Sequence, residues 1–170
     1  MVHTPMQRFQ YDKSLIGKST DTKIYRGATL LSPGEWTDSM SQVAIEYTPN
    51  ILRKYAKVWE DYYLNLDHNH SALSRIGKVH NPRWENGAVK GDLHIYPITQ
   101  NAKDIIQLIN NDMINWTSVE IRTKDIWNEI KGMWSVSEMD YLGAAVVSLP
   151  ASRGSKIKTD GPDAPSIYYE

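Results

Sequence analysis

Val89, Gly91, Leu93 and Ile95 fall at alternate positions, in a run that starts directly after Asn86-Gly87. Alternation with a period of two lines one face of a β-strand. Asn-Gly readily adopts the two positive-φ conformations of a tight hairpin turn. A strand from Arg75 to Val79 precedes the turn, with Asn81-Pro82 as further punctuation. A chain built around such a hairpin is set for antiparallel pairing.

The flanking sequence adds short strands and few helices. Lys23 to Leu31 reads as the first strand, and Gln42 to Tyr47 as the second. Between them, residues 32–41 carry Pro33, Gly34, Asp38 and several serines, which predicts a loop. Thr48-Pro49 is a helix start: threonine accepts from the first-turn amides, and proline at the first helical position loses no bond. Ile51, Leu52, Tyr55, Val58 and Trp59 follow as one apolar stripe. Tyr62 to Asp67 is a strand running into His68. Thr99 caps a second helix, Gln100 to about Asn111, with Ile105, Ile106, Leu108 and Ile109 inward. Ile114 to Thr123 alternates, and Met133 to Leu149 is extended and rich in small and apolar residues. This pattern predicts a β-dominated α+β domain, an antiparallel β-barrel surrounded by a few helices, and not a doubly wound α/β fold. Residues 1–22 form a polar lead-in, 23–153 the domain, and 154–170, rich in Pro, Gly, Ser, Lys and Asp, a flexible tail.

Composition narrows the function classes. The 170 residues suit one domain, and 41% hydrophobic content supplies a core. A net charge of −1 points to neither nucleic acid nor an anionic membrane. The absence of cysteine excludes disulfides, thiolate metal sites and cysteine nucleophiles. No run approaches the ~20 apolar residues of a membrane span, and Met1 to Thr20 lacks the apolar core of a signal peptide. Ten Tyr and six Trp against one Phe could furnish a carbohydrate- or peptide-binding face. Such a face needs an exposed aromatic row, which the sequence does not show; rings at half-buried strand edges account for the bias.

Three segments can carry chemistry. In Leu64-Asn65-Leu66-Asp67-His68-Asn69-His70 a strand leads into two histidines that share a face if the strand continues. His68 could serve as a general base. His68 and His70 could bind a metal, although neither His80 nor His94 stands at ligand spacing. Both could also be polar residues at a strand end. In Trp116-Thr117-Ser118-Val119-Glu120-Ile121-Arg122, Ser118 lies mid-strand with Thr117, Val119 and Ile121 on the opposite face. It is either a small half-exposed polar residue or a nucleophile, which would need a base within reach. No Gly-x-Ser-x-Gly elbow occurs, which argues against an α/β-hydrolase. In the third segment, Glu138 and Asp140 precede Tyr141-Leu142-Gly143-Ala144-Ala145-Val146-Val147-Ser148-Leu149-Pro150-Ala151. Either acid could orient a histidine, or both could be solvated at a strand start.

Taken in order, these segments resemble the prohead (capsid maturation) serine proteases of tailed phages and, more distantly, the herpesvirus assemblins. The resemblance rests on Leu66-Asp67-His68 followed by Ile76-Gly77-Lys78-Val79, on Val89-Lys90-Gly91-Asp92-Leu93 and the helix before Thr117-Ser118-Val119, and on the closing strand that ends in Pro150-Ala151. It spans roughly Lys23 to Arg153. It implies a herpesvirus-protease-like barrel, with Ser118 as nucleophile and His68 as base; His70 is the alternative base because its distance to Gly77 is closer to the family's. The family's third catalytic position falls on Gly143, so the resemblance assigns the acid to Asp140, with Glu138 as alternative. Without an acid the site would be a Ser-His dyad, or the chain a degraded homologue with a structural, scaffold-associated role. Arg153 resembles an arginine that helps hold the oxyanion. The family cleaves scaffold and capsid precursors inside the prohead, in the host cytoplasm. It uses no cofactor, and it implies self-processing, for which Glu170 is a candidate end, and homodimerisation.

Overall fold

The computed structural model describes residues 21–37, 43–59, 62–152 and 154–158, with the backbone alone for 58 and 59. Strands β1 (Lys23–Leu31), β2 (Gly34–Thr37) and β3 (Ala44–Tyr47) come first. Helix α1 (Pro49–Tyr55) and strand β4 (Tyr63–Leu66) follow, then the hairpin β5 (Arg75–Glu85) and β6 (Ala88–Ile95). Helix α2 (Gln100–Asn110) leads to the long hairpin β7 (Trp116–Asn128) and β8 (Met133–Val147).

Local chemistry accounts for these boundaries. Thr48 Oγ1 accepts from the Ile51 amide at 3.4 Å, and Thr99 Oγ1 from the Ala102 amide at 3.2 Å, so both helices start where their caps predict. Asn86 and Gly87 both have positive φ, as a type I′ turn requires. The predicted loop at 32–41 is not all loop: Gly34–Thr37 pairs with β3. The α1 stripe does not stay α-helical to Trp59, since the chain tightens into a 3₁₀ turn over Ala56–Trp59.

The sheet runs β1-β6-β5-β4-β8-β3-β2, with β7 on the other side of β8. It is mixed rather than antiparallel, because β8 pairs in parallel with β3 and with β4. It also does not close into the expected barrel, since β1 and β7 form no ladder. A short segment bridges them instead. Thr29 and Lys156 exchange backbone bonds of 2.7 and 2.9 Å. Lys156 also forms a bridge with Trp116, and the Ile157 amide donates to Asn115 O at 2.9 Å. The segment expected to begin a flexible tail is thus packed: Ser155 and Ile157 are each 1% exposed.

Leu30, Leu64, Val79, Leu93, Ile95 and Val146 meet Leu52 of α1, Ile109 of α2 and Ile157 in one core. Helix α1 touches β5, β6 and β8, so it packs across one face of the sheet. Gly77 admits β6 at close quarters: a Cβ there would lie 1.9 Å from the His94 carbonyl oxygen. Among the described residues, no helix is long and apolar enough to cross a membrane.

Candidate active site

The site lies where β4, β8 and β7 run side by side. Asn65, Ala145 and Ser118 occupy one row of the sheet, as do Gly143 and Glu120. Cross-strand partners share a face. Leu64 and Ala144, their neighbours in sequence, point into the core. Ser118, Glu120, Ala145, Gly143 and Asn65 therefore share the other face.

Strand β4 ends at Leu66, and the chain turns sharply. Asp67 and His68 have φ of 51° and 58°, both left-handed. The Asn69 amide closes the turn onto Leu66 O at 2.9 Å, and the Asp67 amide continues the β8 ladder to Val146 O at 3.1 Å. Two successive non-glycine residues in this region store strain, which concentrates at functional sites. The turn replaces the strand alternation expected for His68 and His70. It swings both rings back towards one carboxylate.

That carboxylate is Glu120, whose side chain is 7% exposed. Its Oε1 lies 3.1 Å from His68 Nδ1, and its Oε2 lies 3.5 Å from His70 Nε2. Asn65 Nδ2 donates to both oxygens, at 3.3 and 3.4 Å. A carboxylate oxygen accepts, which places a proton on His68 Nδ1 and leaves Nε2 free to act as a base. His68 is 40% exposed and His70 68%. Among the described residues, no group of three His, Cys, Asp or Glu side chains is disposed to hold a metal ion.

The acid at His68 is therefore neither Asp140 nor Glu138. Glu138 is exposed and bonds Lys124 at 3.3 Å. Asp140 is exposed opposite Arg122, two residues along β7 from Glu120 and four from Ser118. At ~3.3 Å per residue this puts its backbone about 13 Å from the Ser118 row. Arg153 and Glu170 lie outside the described residues. Sequence reasoning missed Glu120, although the alternation that set Ser118 apart from Val119 also put Glu120 on the serine's side.

Ser118 borders an open cleft of about 90 Å³, walled mainly by Leu30, Leu31, Trp36, Ile45, Tyr47 and Val119. The strand beneath is pinned one residue earlier. Thr117, fully buried, donates its hydroxyl to Thr29 O at 2.8 Å and its amide to Ser155 O at 3.3 Å.

No family model matches this sequence, and no curated protein matches it. Among solved structures, the bacteriophage T4 capsid assembly protease gp21 is similar, at 15% identity and a TM-score of 0.42. The match covers 74% of this chain and 91% of that one.

Proposed function

We propose that this chain is a serine endopeptidase of the prohead type, with Ser118 as nucleophile, His68 as general base and Glu120 as the group that orients His68. One observation carries the reading. A buried glutamate on the same strand face as Ser118, two residues away, holds Nδ1 of the histidine that the motifs single out as the base. This supplies the orienting acid that the sequence lacks at Gly143. A histidine fixed through Nδ1 can take a hydroxyl proton on Nε2, the division of labour in serine hydrolysis.

Ser118 Oγ would attack a peptide carbonyl as His68 Nε2 takes its proton. The tetrahedral intermediate would collapse to an acyl-enzyme, with the proton passing from His68 to the leaving amine. Water would then release the acid by the same route. The substrates on this reading are scaffold and capsid precursor proteins, cleaved within the prohead in the host cytoplasm.

The test is labelling with a fluorophosphonate, followed by mass spectrometry of the modified peptide. The reading expects phosphonylation at Ser118, abolished in Ser118→Ala and in His68→Ala but retained in His70→Ala. A folded protein that does not label at Ser118 at any stage of capsid assembly would refute it.

A further inference from the structure

We infer that the orienting acid reaches His68 by crossing a neighbouring strand, and that Gly143 and Ala145 form the trough it crosses. The inference rests on the roles given above to Ser118 and His68. Strand β8 lies between β7, which carries Glu120, and β4, which leads to His68. Neighbouring strands stand ~4.8 Å apart, so β7 and β4 are about twice that distance from one another. Glu120 nevertheless bonds Asn65 on β4 and His68 just beyond it. Its side chain must therefore lie over β8.

The β8 residues on that face are the two smallest. Gly143 is in register with Glu120, and Ala145 with Ser118. A Cβ at position 143 would stand 3.2 Å from Glu120 Oε2, 3.7 Å from Cδ and 3.1 Å from Tyr63 O. A methyl group there presses on the carboxylate, and any longer side chain takes its place. Conversely, an aspartate at 143 would set its own oxygens where those of Glu120 now lie. The site has room for one acid, from either strand. Both together would clash and repel at contact distance.

This predicts a swap. Glu120→Ala slows phosphonylation of Ser118 on the order of 10⁴-fold, the size of the loss when the orienting acid is removed from other serine hydrolases. Gly143→Asp alone also slows it. The double variant Glu120→Ala/Gly143→Asp labels at least tenfold faster than Glu120→Ala. A far-downfield proton resonance from His68 Nδ1–H, assigned by its absence in His68→Asn, reports the geometry without reference to activity. It is present in wild type, lost in the near-isosteric Glu120→Gln, and regained in the double variant. A folded double variant that neither labels faster than Glu120→Ala nor regains the resonance would overturn the trough. A resonance unchanged in Glu120→Gln would overturn the role of Glu120 itself. If the resonance follows the swap while wild type never labels, the crossing stands and the peptidase reading falls.

Discussion

Replacing Ile157 with alanine tests whether the segment after the last strand is part of the fold. Its side chain is 1% exposed and belongs to the core cluster with Leu30 and Val146. Its amide bond to Asn115 O is a backbone contact and survives the substitution. What is lost is packing: several buried carbons, and a cavity that the bonded backbone on both sides keeps from collapsing. Ile→Ala at such sites costs ~2–5 kcal/mol, and we expect about 3 kcal/mol here. For a domain of this size each kcal/mol lowers the melting temperature by about 2–4 °C, so the expected drop is about 6–12 °C. Thermal melting followed by circular dichroism measures it, and the denaturant midpoint should fall without a change in slope. The effect belongs to the bridge between β1 and β7, whose Ser155 accepts from the Thr117 amide next to Ser118. A drop of under about 2 °C would mean that Ile157 contributes no packing, and that the seam closes by other means.

The other predictions concern the sheet and its acid response. Gly77→Ala drives a methyl into the His94 carbonyl, where backbone rather than a flexible side chain must move. The cost should reach or exceed the ~3 kcal/mol upper range of overpacking, visible as loss of soluble folded protein, whereas a well-expressed variant melting like wild type would contradict the register. Asp92 is 6% exposed; burial alone would raise its carboxyl, but the Gly27 amide and the Arg83 guanidinium outweigh that and hold it below the usual carboxylate range. A depressed folded-state pKa contributes stability above the unfolded value, ~3.9, and loses it as pH falls through the folded value. Asp92→Asn should therefore be less stable than wild type at neutral pH, with the gap narrowing below about pH 4; a constant gap in denaturant titrations across that range would refute the linkage.

Much of the fold was legible because its determinants are local. The Asn86-Gly87 turn, the Thr48 and Thr99 caps and the alternation along β7 each act within a few residues, and each element began within two residues of its signal, although α1 stops at Tyr55 and β7 runs on past Thr123 to Asn128. Closure and strand direction were not legible, because they depend on which edges meet. Nothing local states that β8 runs parallel to β4, or that Ser155–Ile157, polar on its surface reading, carries a buried isoleucine between β1 and β7.

The acid shows the same division more sharply. Reading along the chain, the gap at Gly143 directs attention to the nearest carboxylates in sequence, Asp140 and Glu138. In a sheet, nearness is set by register. Glu120 pairs with Gly143, but the next pair is Ile121 with Tyr141, so Leu142 is an extra residue bulged out of the ladder. The bulge fixes which β8 residue stands beside Glu120. Shifted by one, the ladder would set Leu142 or Ala144 opposite Glu120, and neither would leave the passage that glycine gives. Glu120 is 52 residues from His68 in sequence yet 3.1 Å from it in space. A glycine at a position where a catalytic side chain is expected therefore has two physical meanings, a lost group or a vacated path, and the strand next door decides between them.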